Sequence, residues 1–194
     1  MSSDAACHDL LLRLAGRLPD AALWRARDWL AAGGHASIAA VLPRSLLRHR
    51  VGLTDVEREL LEGSVGAWGA SGRLVDAVLP LAAPDQVTAQ FRTGAEADTA
   101  LLSVLAVVRG HPGCAQLRQV WRRDPHGAQR VVLVVGADRP WALTGTLQRL
   151  LRAHGDRTPC AEVLPPHEDP PAYHQAAMIG APLWQAPDRD TTAA

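Results

Sequence analysis

An α+β architecture is predicted: a helical region over residues 1–84, then a β-α-β-β-α-β domain of the ferredoxin-like plan over residues 85–187, then a disordered tail over residues 188–194. Three observations predict it. The run Arg130-Val131-Val132-Leu133-Val134-Val135-Gly136 has the length and composition of a strand covered on both faces. Two β-α-β patterns flank this run and share the turn Asp124-Pro125-His126-Gly127, whose Asp, Pro and Gly are hairpin chemistry. Before Pro80, by contrast, the apolar residues recur only at helical spacing.

Taken in order, Asp4 can cap a first helix on which Leu10, Leu11, Leu14 and Leu18 form a stripe. Pro19 opens a second helix at a position that tolerates its missing N–H, with Leu23, Ala26 and Leu30 inward, and Gly33-Gly34 closes it. Trp24 and Trp29 lie five apart on that helix and cannot share one narrow stripe. Ile38, Val41 and Leu42 mark a third helix that Pro43 should end or kink, with Leu46 and Leu47 continuing after it. Thr54-Asp55-Val56-Glu57 is a capping box, so a fourth helix starts there with Val56, Leu60, Leu61 and Val65 as its apolar face. Gly63, Gly66, Gly69 and Gly72 weaken it, and Arg73 to Leu79 forms one more short helix.

Pro80 to Asp85 is the domain boundary, because few helices survive two prolines so close and the pattern switches to strands beyond them. The first β-α-β unit runs from the strand Val87 to Phe91, through a helix over Ala95 to Arg109, to the strand Ala115 to Trp121. The second runs from the central strand, through a helix over Trp141 to His154, to the strand Cys160 to Leu164. The ferredoxin-like plan makes the sheet antiparallel with two helices on one face. A last short helix is expected over Tyr173 to Ile179, followed by Ala181-Pro182-Leu183-Trp184.

At 194 residues, a chain buries about 70% of its unfolded surface without metal or disulfide staples. With 47% apolar and 21% charged residues it is globular in composition. Its formal net charge is zero, which speaks against a dedicated nucleic-acid binder needing a basic excess for phosphates. Every basic residue other than histidine is arginine, and lysine and asparagine are both missing. That is the mark of GC-rich codon usage rather than of phosphate recognition. The three cysteines, Cys7, Cys114 and Cys160, are too scattered for a disulfide framework. No signal peptide and no apolar run of about 18 residues occurs, so no membrane association is expected and a reducing cytoplasm is the default location.

In the second half, the helix Ala97 to Val108, the turn His111-Pro112-Gly113-Cys114, the strand Gln116 to Trp121, the hairpin at Asp124-Gly127 and the strand Val131 to Gly136 follow one another in a familiar order. This succession resembles the C-terminal domain of the enhanced-serine-sensitivity (SseB) family, and the closing stretch Ala172 to Trp184 is similar too. Where that family tends to carry Pro-Phe-Tyr, this sequence has Pro182-Leu183-Trp184. The resemblance implies a small α+β domain of a bacterial cytoplasmic protein without catalytic residues to transfer.

Metal chemistry is the sharpest enzymatic alternative. His111 and Cys114 form one close pair, on which Cys160, His167 and His174 would have to converge. Zinc takes four such ligands, commonly as two close pairs. With one pair present, no metal and no cofactor is predicted: Cys114 and Cys160 read as small core residues, and His167 and His174 as surface residues. Cys7 and His8 are sequence neighbours on a helix, so their side chains diverge and form no nucleophile–base pair. The densest positive cluster, Arg44 to Arg50, invites a DNA-binding reading, but a short segment containing Pro43 is a better solvated helix end than a recognition helix.

Protein interaction is what remains. Arg118, Trp121, Arg122 and Arg123 crowd the second strand of the domain and its hairpin, and arginine with tryptophan is the composition of interface anchors. The strand is expected at or near a sheet edge, where these side chains either dock a partner or guard the edge against aggregation. The function predicted is therefore a non-catalytic interaction or regulatory (adaptor) protein, with an unidentified protein partner or self-association. A metal-dependent or cysteine-based enzyme and a DNA-binding regulator are the alternatives.

Overall fold

The computed structural model describes residues 1–83, 88–94, 97–124, 127–166 and 169–187. The N-terminal part is helical throughout. Helix α1 (Ser3–Arg13) is capped by Ser2, whose hydroxyl accepts from the Ala5 N–H at 3.2 Å, and not by Asp4, which sits in the first turn where its charge complements the helix dipole. Helix α2 (Asp20–Ala31) follows Pro19 directly and stops at Gly33, which takes φ 72°. Helix α3 (His35–Arg48) continues past Pro43, which was expected to end or kink it, so the helix does not end there. Proline there forgoes one backbone bond, but Ile38, Leu42, Pro43 and Leu46 are all buried on one face, and that packing holds the helix together.

Helix α4 (Asp55–Leu61) begins at the Thr54–Glu57 capping box, with both reciprocal bonds formed, and widens into a π-helical turn over Glu62–Gly66. Its inner face is Leu60, Leu61 and Val65; Val56 is 53% exposed and belongs to the outside. A short α5 (Gly72–Asp76) completes the helical part. Leu53 then bonds Leu79 and Leu81 across an isolated parallel bridge to Pro80, which fastens the end of this region to its own middle. Part of the expected boundary, Pro84 and Asp85, lies outside the described residues, as do Pro125 and His126 of the hairpin turn and residues 188–194 of the expected tail.

The second part supplies strands β1 (Phe91–Thr93), β2 (Gln116–Asp124), β3 (Gly127–Val135), β4 (Cys160–Leu164) and β5 (Trp184–Gln185). Helices α6 (Thr99–Gly110), α7 (Pro140–Ala153) and α8 (Ala172–Ala177) lie between them. The order along the sheet is β1-β2-β3-β4, with β5 also on β2. The β-α-β-β-α-β succession is therefore present, but the sheet is mixed: β3 and β4 pair in parallel and side by side, where an antiparallel sheet was expected. Element order does not encode which neighbour a strand chooses, and a helix-length crossover such as α7 permits the parallel choice. Strand β1 starts at Phe91, where the expected strand ended; Val87, the expected start, lies outside the described residues, and the Phe91 ring stands edge-on to Tyr173 at 5.2 Å.

Both faces of the sheet are covered. Val132, Val134, Leu117 and Val163 pack with α6 and α7, while Val131, Leu133, Val120 and Leu164 pack with Ala177 of α8 and Leu12 of α1. That explains the uninterrupted apolar run of β3, whose Val131 to Val134 are all fully buried. The helical part also joins the sheet at its β4 side, where α2 lies along α7. The approach is close: a Cβ on Gly145 would stand 2.2 Å from the Ala31 Cβ.

A Gly→Ala change inside a helix ordinarily stabilises by about 0.5–1 kcal/mol. Gly145→Ala is instead expected to destabilise by about 1–3 kcal/mol through overpacking, with Ala31→Gly restoring most of the loss in denaturant titrations. A stabilised Gly145→Ala protein would show that α2 and α7 are not in this contact.

Candidate functional site

Strand alternation divides the four residues expected to form one surface. Arg118 and Arg122 point to the side of the helical part, and Trp121 and Arg123 to the opposite side. Nor is β2 an edge strand. Strand β3 takes one flank, and on the other β1 pairs with Val120–Arg122 while β5 pairs with Gln116 and Leu117. Strand β2 lies next to the edge, within the expected placement, but its flank is not open: beside β1, the closing stretch at Trp184 returns as a strand, with the Leu183 N–H donating to the Leu117 carbonyl at 2.8 Å.

Arg122 is buried and structural. Its guanidinium forms an ion pair with Asp20 at the start of α2 and donates to the Tyr173 hydroxyl of α8 at 2.9 Å. Arg118 donates to the Gly180 carbonyl at 2.5 Å. Trp121 is half-buried and held from two sides. The Arg130 guanidinium lies 5.1 Å from its ring centroid, and Gly94 packs so closely that a Cβ there would stand 2.2 Å from the indole Nε1. Arg130 in turn pairs with Asp98, which caps α6 by accepting from the Leu101 N–H at 2.8 Å. The hydrogen bond from Arg130 holds the Asp98 carboxyl below its ordinary value. Arg123 is exposed, and so is Arg92, which stands opposite Trp121 on β1. Arg92 could not be found from sequence, because its strand partner Trp121 is 29 positions away and the expected strand ended at Phe91.

The strongest polar cluster is elsewhere and wholly internal. Glu162 on β4 accepts two bonds of 2.7 Å from Arg27 on α2 and one of 3.1 Å from His174 Nε2 on α8, and Arg27 also donates to the Leu11 carbonyl at 2.9 Å. His174 is thus buried, not on the surface as its sequence context suggested. Burial alone pushes the Glu162 carboxyl up, but the Arg27 charge and the His174 bond outweigh it and hold the group below its ordinary value. Beside this cluster, His8 Nε2 donates to the Val163 carbonyl at 2.8 Å. Burial lowers the His8 imidazole from 6.5 to about 4.

Among the described residues, no three His, Cys, Asp or Glu side chains converge as metal ligands; His167 lies outside the described residues. All three cysteines are buried. Burial pushes the Cys7 thiol up to about 12 and the Cys114 thiol to about 11, and raises Cys160 well above its ordinary value, the opposite of an activated thiolate. Arg44 and Arg48 are exposed on α3, with Arg44 donating to the Ala40 carbonyl of its own helix. Among the described residues no helix is long and apolar enough to cross a membrane.

The buried imidazole makes stability depend on pH. An unfolded His8 takes up its proton near 6.5 and the folded one near 4, so between these values the unfolded chain binds more protons. Stability is complete above pH 6.5 and falls as the pH drops toward 4, by about 3 kcal/mol from this residue. Glu162 adds a further loss at lower pH, as it protonates. His8→Gln keeps an N–H for Val163 and cannot titrate; chemical denaturation of this variant should show a flattened profile between pH 6.5 and 4, and an unchanged slope would contradict the assignment.

With this geometry established, comparison with known protein families, with curated proteins and with solved structures finds no match to the chain.

Proposed function

We propose that this chain is a non-catalytic protein-interaction protein, an adaptor that docks an acidic segment of a partner protein on the face formed by Arg92, Trp121 and Arg123. One observation carries the reading. Two exposed arginines flank an indole that is already fixed in place, and neither arginine has an ion-pair partner among the described residues. A rigid aromatic group offers contact area at low entropic cost, and flanking arginines steer and orient a carboxylate-bearing partner. The inward arginines of the same strand, Arg118 and Arg122, are committed to the fold and support this face from behind. The likeness of the second half to the SseB family, and the bacterial cytoplasmic setting it implies, belong to the same reading and rest on the sequence pattern alone.

The test is affinity purification of the tagged protein from its native host beside Arg92→Glu/Arg123→Glu. Exposed substitutions of this kind alter stability by no more than about 0.5 kcal/mol, so the comparison is free of unfolding. Arg122 is unsuited to the purpose, because it ties β2 to α2 and α8. A stoichiometric partner retained by the native chain and lost from the double variant is the expected result. A partner retained by both would overturn the docking face; recovery of the chain alone in both forms would overturn the adaptor reading.

A further inference from the structure

A concavity lies where the two parts of the chain meet, away from the Arg92, Trp121 and Arg123 face. It is a pocket of about 610 Å³, within the usual range for a small-molecule site, walled by Gly16 and Arg17 after α1, by His49 to Gly52 after α3, and by Pro171 to Tyr173 at α8. Three arginines, Arg13, Arg17 and Arg50, line it with a single carboxylate, Glu57. Glu57 and Arg17 are spent on each other and on the backbone: one Glu57 oxygen accepts from Arg17 at 2.5 Å and the other from the Thr54 N–H at 3.0 Å, while the second terminal nitrogen of Arg17 donates to the Gly52 carbonyl. Arg13 uses only its Nε, on Asp9 at 3.0 Å, and its terminal nitrogens remain uncommitted. The Arg50 guanidinium has no hydrogen bond or ion pair among the described residues.

Arg50 carries the second observation. It holds φ 55° at the end of α3, with its own N–H on the Leu47 carbonyl and the Val51 N–H reaching back to Leu46 at 2.9 Å. This is the left-handed helix stop at which glycine is preferred. The same chain meets the same need at the end of α2 with Gly33, where Gly34 reaches back to Trp29 at 2.7 Å. An arginine in this conformation costs stability that a glycine would not, and a strained residue on the rim of a pocket points to a use for its side chain.

From the pocket and from Arg50 we infer that this site binds a small organic phosphate, its anionic head held by Arg13 and Arg50 and its apolar body toward Ala15, Val51 and Tyr173. Planar guanidinium forks match phosphate oxygens in pairs, and the uncommitted terminal nitrogens of Arg13 together with the Arg50 guanidinium offer such forks here.

Phenyl phosphate and inorganic phosphate are the probes, titrated calorimetrically and by thermal unfolding against the full chain at constant ionic strength. Saturable binding is expected for both, tighter for phenyl phosphate, which has the apolar body. Arg50→Gly should melt higher than the native chain without ligand, because the strain is gone, yet bind phenyl phosphate about tenfold more weakly for the lost charged hydrogen bonds. Arg50→Asn, which tolerates the same backbone, should bind as weakly. Native affinity in both variants, or a thermal shift by phenyl phosphate that sodium chloride reproduces at equal ionic strength, would overturn the site. Neither outcome depends on whether a protein docks at Arg92 and Arg123.

Discussion

Everything else in this fold depends on the buried pair of Arg27 and Glu162. A carboxylate in the middle of an otherwise apolar strand would be untenable alone, since an unpaired buried charge costs several kcal/mol. Arg27 meets it with two parallel bonds, His174 supplies a third, and Arg27 spends a further donor on the end of α1. Four separate stretches of chain are thereby brought to one point. Such a pair adds little net stability over well-packed apolar residues, but it is unforgiving of misplacement. Its role here is to fix where the helical part sits on the sheet: a shift of α2 by one turn would strand the charge.

The second tie, from Arg122 to Asp20 and Tyr173, repeats this logic at the hairpin end of the same face. Tyr173 then carries the connection further, packing its ring against Gly16, which takes φ 79° and has no room for a side chain. The sheet face carrying Val120, Val131 and Leu133 is consequently covered by α1 and α8. What stays open is the reverse side of the hairpin, where α6 and α7 stop short of Trp121, Arg92 and Arg123. Chemistry and accessibility are separated by the two faces of one strand.

Features with a local cause were legible in the sequence. The Thr54 capping box, the glycine stop at Gly33, the helix over α7 and the limits of β4 all follow from residues within a few positions of one another. What was not legible has non-local causes. Arg27 and Glu162 are 135 positions apart, and nothing in Ala161-Glu162-Val163 names the partner. The parallel choice of β4 and the return of Trp184 to the side of β2 are decisions of packing, not of propensity. The grouping of Arg118, Trp121, Arg122 and Arg123 was avoidable, because a period of two along any strand already separates even from odd positions. Arg50 gave no signal either: a basic residue near a helix C-terminus reads as dipole complement, and only its positive φ reveals the cost.

That cost bears on how the two parts of the chain work together. The walls of the Arg50 pocket come from both: Gly16, Arg17 and Val51 from the helical part, Pro171 to Tyr173 from the part that holds the sheet. The pocket exists only while α8 is docked against the turn after α1. An anion bound there is bound to the docked arrangement alone, and by mass action it stabilises that arrangement in proportion to its affinity and concentration. The same docking seats Tyr173 on Arg122, in the strand whose other face carries Trp121 and Arg123. A ligand at the one site thus favours the arrangement that braces the other, through contacts continuous from Gly16 by way of Tyr173 and Arg122 to β2.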